Sequence, residues 1–155
     1  MKKYITTELN KENLYPLLLS YVLKKCDRFE TVIRADISSD EQTDDTLNQA
    51  LNELQPFILS KTKGTKWSVN EISDGSVDIY TYQFNHKTLS ILLSYTDDFT
   101  KWQAPNFFED ISFFRMNKNE YMLGVIGHEN LLFWQLDELE YQALQNLGIE
   151  LYLNQ

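Results

Sequence analysis

Apolar positions change period several times along the 155 residues, and each change marks an element. Leu14, Leu17, Leu18, Tyr21 and Val22 recur at helical spacing, with Asn13 as a cap and Pro16 tolerable in the first turn. A helix is predicted from residue 14 to about Cys26. Phe29, Thr31, Ile33, Ala35 and Ile37 then alternate with Glu30, Val32, Arg34 and Asp36, the period-two pattern of a strand with one buried face. Leu47, Ala50, Leu51, Leu54 and Ile58 trace a second amphipathic helix that Pro56 should kink or end, and residues 61–66 read as its exit loop.

Residues 76–84 are dense in β-branched and aromatic side chains and follow the Asp74-Gly75 turn signal, so they predict a strand. Asn85 caps a third helix over about 86–96, with Phe84 and Leu89 as its hydrophobic staple. After a loop at 99–110, three short strands are predicted at 111–115, 121–126 and 131–135, joined by connections of hairpin length. Asp137 and Glu140 form a capping box, and Gly148 follows the end of a helix over about 138–147. This order lacks strict βαβ alternation. It predicts a single α+β domain over 1–155: a mainly antiparallel sheet of about five strands, with a C-terminal three-strand meander and helices mostly on one face.

Composition narrows the class. Hydrophobic residues make up 43% and the mean hydropathy is −0.41, too apolar for a disordered chain and too polar for a membrane bundle. No leader is expected, because polar residues from Thr6 to Asn13 interrupt the N-terminal apolar stretch. The single cysteine, Cys26, excludes an internal disulfide and fits a reducing cytoplasm. Fourteen basic against twenty-three acidic side chains give a net charge of −9, which repels phosphate backbones and attracts cations or basic protein surfaces. Nucleic acid and membrane partners are therefore not expected. Asp36, Asp40, Glu41, Asp44, Asp45 and Glu53 stand in a stretch without a base, which suits either a solvated loop or a docking site for a basic partner.

Motifs for chemistry are sparse. His128-Glu129 lacks the second histidine that a zinc-hydrolase helix needs, since Leu132 stands in its place. Two histidines and one cysteine cannot build a tetrahedral structural zinc site. Asp44-Asp45, Asp97-Asp98 and Glu109-Asp110 could hold a hard cation, but adjacent carboxylates on a strand point to opposite faces, so no metal or cofactor is expected. The five glycines form neither a phosphate loop nor a dinucleotide fingerprint, and no Gly-x-Ser-x-Gly elbow exists. What remains is His128 as a general base, with Glu129, Glu109 and Asp110 as candidate partners. Against that, Gly127 to Asn130 reads as a hairpin connection whose polar side chains bond local backbone.

Nine of the twenty-one aromatic residues fall between Phe99 and Trp134. Phe113-Phe114 and Phe133-Trp134 must place rings on both faces of a sheet, so either both faces are covered or one is a docking surface. Candidate binding residues are therefore Asp40, Glu41, Asp44 and Asp45 for charge, and Trp102, Phe107, Phe108 and Trp134 for apolar contact.

The chain also resembles an uncharacterised family of small bacterial proteins. The shared features are a helix end at Pro56-Phe57-Ile58-Leu59, Trp67 after the exit loop, and Phe84-Asn85 at the end of an aromatic strand. They continue with Trp102-Gln103-Ala104-Pro105, Phe108-Glu109-Asp110-Ile111-Ser112-Phe113 and the terminal His128-Glu129, across most of residues 15–130. The pattern departs where Phe108 replaces a proline and Tyr121-Met122 a tryptophan. Some members are labelled as a stage III sporulation protein, a label that implies a membrane anchor and is not carried over to a chain without a spanning run. The resemblance implies one soluble domain and draws attention to Glu109, Asp110, His128 and Glu129; it implies no activity.

Together these features lead to a non-enzymatic cytoplasmic interaction module, such as an inhibitor or immunity-type protein for a basic partner. The alternative is a small-ligand binder or hydrolase-like enzyme using His128 with Glu109 or Glu129. A third reading is homodimerisation through an edge of the meander.

Overall fold

In the computed structural model, which describes residues 1–9, 11–34 and 45–155, the apolar periods become four helices and one large antiparallel sheet. Chain order is β1 (Lys2–Thr6), α1 (Leu14–Leu23), β2 (Cys26–Ile33), α2 (Thr46–Leu54), β3 (Ile58–Gly64), β4 (Lys66–Trp67), β5 (Asn70–Glu71), β6 (Val77–Gln83), α3 (His86–Tyr95), β7 (Glu109–Arg115), β8 (Tyr121–Ile126), β9 (Leu131–Leu136), α4 (Glu138–Asn146) and β10 (Tyr152–Leu153). The sheet runs β10-β1-β9-β8-β7-β2-β6-β3, and β4 with β5 forms a separate hairpin.

Eight strands replace the expected five or so, and the added ones lie at the sheet's margins. β3, which takes in the expected helix end at Ile58 and the first part of the expected loop at 61–66, pairs with β6 as an edge strand. Its residues 59–63 are all exposed, so it carries no alternating apolar signal; Lys61 and Lys63 on such an edge discourage further strand pairing. β1 pairs with β9 and with β10, burying Tyr4 and Thr6. Thr6 Oγ1 accepts a hydrogen bond from Trp134 Nε1 at 3.0 Å and donates to the Glu150 carbonyl at 2.7 Å.

The two sheet faces are covered differently. On the side of Tyr4, Phe29, Tyr82, Phe113, Leu123 and Trp134, all four helices add buried side chains such as Leu18, Ala50, Leu92 and Leu144 to one core. Burying a side chain of this kind stabilises by roughly 1.5–3 kcal/mol, so this core dominates the fold. On the opposite side Val32, Trp67 and Val77 form a smaller cluster with Val69 and Ile79. The β4–β5 hairpin is fastened there by Ser68, whose N–H and hydroxyl both donate to Glu30 Oε1 at 3.0 and 2.7 Å. Gly124 permits that approach, since a Cβ at this position would lie 2.3 Å from Val69 Cγ1.

Helix ends follow local chemistry. Asn85 Oδ1 accepts from the Lys87 and Thr88 amides, and Thr88 Oγ1 accepts from the Asn85 amide, closing the capping box of α3. In α4 Asp137 and Glu140 do the same, and Gly148 at φ 83° ends the helix with Ile149 N–H bonded to the Leu144 carbonyl. Asn13 precedes α1 as expected, but it is left-handed at φ 61° and makes no side-chain cap. The first predicted strand starts earlier, at Cys26, and residues 35–37 of its expected extension lie outside the described residues.

Glu140 has a second task. Arg115 at the end of β7 grips its carboxylate with two bonds of 2.7 Å and gives a third to the Gln135 carbonyl. Burial alone would raise the Glu140 carboxyl, but the Arg115 fork and the Asp137 amide outweigh it and hold the group below its usual range. Among the described residues, no helix is long and apolar enough to cross a membrane.

Candidate functional site

At the start of β7 the ladder with β2 slips: Thr31 faces Ile111 while Val32 faces Glu109, which leaves Asp110 as an extra residue. A bulge of this kind bends the strand and re-aims its side chains. Asp110 takes the left-handed conformation, φ 57°, where Asp and Asn are the best-tolerated residues after glycine. The expectation that adjacent Glu109 and Asp110 point apart is thereby corrected. One carboxylate oxygen from each and a ring nitrogen of His128 all lie within 4.8 Å of one another.

His128 lies in the connection between β8, the neighbour of β7, and β9. Gly127–Glu129 is a single 3-10 turn closed by left-handed Asn130, so His128 and Glu129 do not diverge as strand neighbours would. Nδ1 of His128 is 3.0 Å from Glu109 Oε1, and Nε2 is 3.7 Å from Glu129 Oε1. The ring therefore bonds across nineteen residues rather than to local backbone. Gly127 makes the approach possible: a Cβ there would stand 2.4 Å from the Trp102 carbonyl and 2.9 Å from that of Phe99.

Depth and polarity differ across the cluster. Glu109 and Asp110 are 3% and 1% exposed, whereas the His128 side chain is 41% exposed and opens the cluster to solvent. Glu109 Oε2 accepts from the Ala104 amide at 3.4 Å. Asp110 Oδ2 accepts from Trp67 Nε1 at 2.9 Å, and its carbonyl accepts from Thr31 Oγ1 at 2.6 Å. Asp110 Oδ1 is buried with no hydrogen-bond partner. Burial pushes the Asp110 carboxyl up from 3.8 to about 6 and neighbouring Glu109 adds to this, while the Trp67 N–H, His128 and the Gly127 amide pull the other way. The Gly127 amide does so without giving Oδ1 a partner.

The other candidates separate from this cluster. Trp102, Phe107, Phe108 and Trp134 are all buried, at 0–6% exposure, so the expected docking role of these rings is corrected to core packing. Trp102 gives its N–H to the Tyr15 hydroxyl at 3.3 Å. Trp134 gives its own to Thr6. Asp45 is exposed and accepts from Asn48 Nδ2, while Asp40, Glu41 and Asp44 lie outside the described residues. Asp97 pairs with Lys101, and Asp98 accepts from the Thr100 amide to start a short 3-10 turn. Two clefts of about 410 and 460 Å³ open near the 95–107 segment, and neither is lined by the cluster.

No protein-family model, curated protein or solved structure matches the chain. Its function is therefore read from geometry. The residues that support the cluster, Trp67, Thr31 and Ala104, carry no site signal in the sequence; Trp67 stood out only within the family resemblance.

Proposed function

We propose that the chain is a single-domain, non-enzymatic binding protein of the cytoplasm whose binding centre is the Glu109–Asp110–His128 cluster. The observation that carries this is the convergence of a solvent-open imidazole on two buried carboxylates, one of them holding an unpartnered oxygen. A buried acceptor without a donor costs about 1–3 kcal/mol, more if charged, so a ligand that supplies positive charge or hydrogen-bond donors gains what folding left unsatisfied. Among the described residues, both His128 nitrogens face carboxylates and neither bonds a hydroxyl or thiol, which favours binding over nucleophilic catalysis. Saturation-transfer screening with small amines, guanidinium compounds and amino acids tests this reading. Ligands lost in His128→Ala support it; ligands bound equally by both proteins refute it.

A second reading keeps the acidic surface as the functional element, with a basic protein as partner and this chain as its inhibitor. It is favoured by the −9 charge and now stands without the aromatic residues. Binding of the purified chain to such a partner should weaken steeply with salt, and a salt-independent complex would refute it. Homodimerisation through a sheet edge, the third reading, is decided by light scattering.

A further inference from the structure

We infer that Glu109, Asp110 and His128 form a site for a first-row divalent metal ion of the zinc, manganese or iron(II) type. This deepens the proposal above, on which it rests, by naming the ligand of the same cluster.

Four observations support it. First, the donor set is one imidazole nitrogen and two carboxylate oxygens without sulfur, which suits first-row divalent ions better than copper(I). Secondly, the spacing fits. Two ligands at right angles, each about 2.1 Å from one ion, are about 3.0 Å apart, and opposed ligands about 4.2 Å. His128 Nδ1 and Glu109 Oε1 stand 3.0 Å apart, and the whole set lies within 4.8 Å, so sub-ångström shifts complete the geometry. Thirdly, Asp110 Oδ1 is fully buried and partnerless although its carboxyl belongs to the cluster; a cation is the partner that a carboxylate so placed lacks. Fourthly, the carboxylates are held from behind as metal ligands usually are, by Trp67 Nε1 on Asp110 and the Ala104 amide on Glu109.

Charge and access agree. Two carboxylates and a neutral imidazole balance a divalent ion, and the net charge of −9 concentrates cations at the surface. His128 is the exposed member, so an ion reaches the site from solvent and replaces the Nδ1···Glu109 hydrogen bond, with the neutral ring carrying its proton on Nε2. Three protein ligands leave positions for water, as in open rather than purely structural sites.

Cobalt(II), added to chelator-treated full-length protein, is the probe. One equivalent should bind with a visible d–d absorption, raise the melting temperature and shift the His128 ring signals paramagnetically. His128→Ala, at an exposed position, and Asp110→Asn, which keeps the side-chain shape, should each weaken binding at least about tenfold, with unchanged far-ultraviolet circular dichroism. Absence of one-to-one cobalt binding overturns the inference, as does binding that both variants retain. Organic ligands that depend on His128, found without cobalt binding, would overturn the metal alone and leave the cluster as the binding centre.

Discussion

Asp110→Asn should make the metal-free protein more stable at neutral pH, an unusual outcome for a substitution at a buried polar residue. The carboxyl is raised from 3.8 to about 6 in the fold, chiefly by burial. A group whose folded value is raised contributes stability that is fully present below its unfolded value and is lost as pH rises through the folded one. A shift of about two units corresponds to about 3 kcal/mol, of which about 1 kcal/mol survives at pH 5 and essentially none at pH 7.5. Asparagine does not ionise. It can still accept from Trp67, its amide can donate towards Glu109, and it tolerates the left-handed backbone at least as well. Urea denaturation in the presence of a chelator should show the variant gaining about 1–3 kcal/mol over wild type at pH 7.5, and markedly less at pH 5. A variant that is less stable at pH 7.5, or a difference that does not change with pH, would refute the burial argument.

Glu140→Ala strands the buried Arg115 guanidinium and opens the α4 capping box, so equilibrium unfolding at pH 7 should show a loss of about 3–5 kcal/mol. Because the Glu140 carboxyl is depressed in the fold, wild type should lose this contribution as pH falls below the usual carboxylate range, and the variant should lack that part of the acid decline. Gly127→Ala drives a methyl against two backbone carbonyls; about 1–3 kcal/mol of stability should disappear, and cobalt affinity should fall with the displaced His128. Burial pushes the Cys26 thiol up to about 12, so a thiol reagent should leave native protein unmodified at neutral pH and label one thiol in denaturant.

Legibility in the sequence tracked how local the determining chemistry is. The ends of α3 and α4 could be placed within a residue or two because Asn85, Asp137, Glu140 and Gly148 act on backbone three or four positions away. β3 escaped notice because an edge strand exposed at five consecutive positions leaves no alternation to read. His128, Glu109 and Asp110 were identifiable as reactive residue types, yet their convergence was not: it depends on a one-residue slip against β2, a pairing between segments about eighty residues apart. The clustered aromatics were misjudged for a related reason. Phe99, Trp102, Phe107, Phe108, Phe113 and Trp134 pack into the main core and Phe114, Tyr121 and Phe133 are half-buried, so ring density at 99–134 reported core more than surface.

The position of β1 sets a timetable for folding. β1 is made before the rest of the sheet, and its partners β9 and β10 follow more than a hundred residues later. Until then Tyr4 and Ile5 have no ladder to join, and Thr6 has no indole N–H to accept. That half of the sheet can close only across a loop of more than a hundred residues, a step that is slow in proteins dominated by distant pairings. Until β1 docks, β9 presents an open strand edge, the surface through which a partly folded molecule would bind its neighbours.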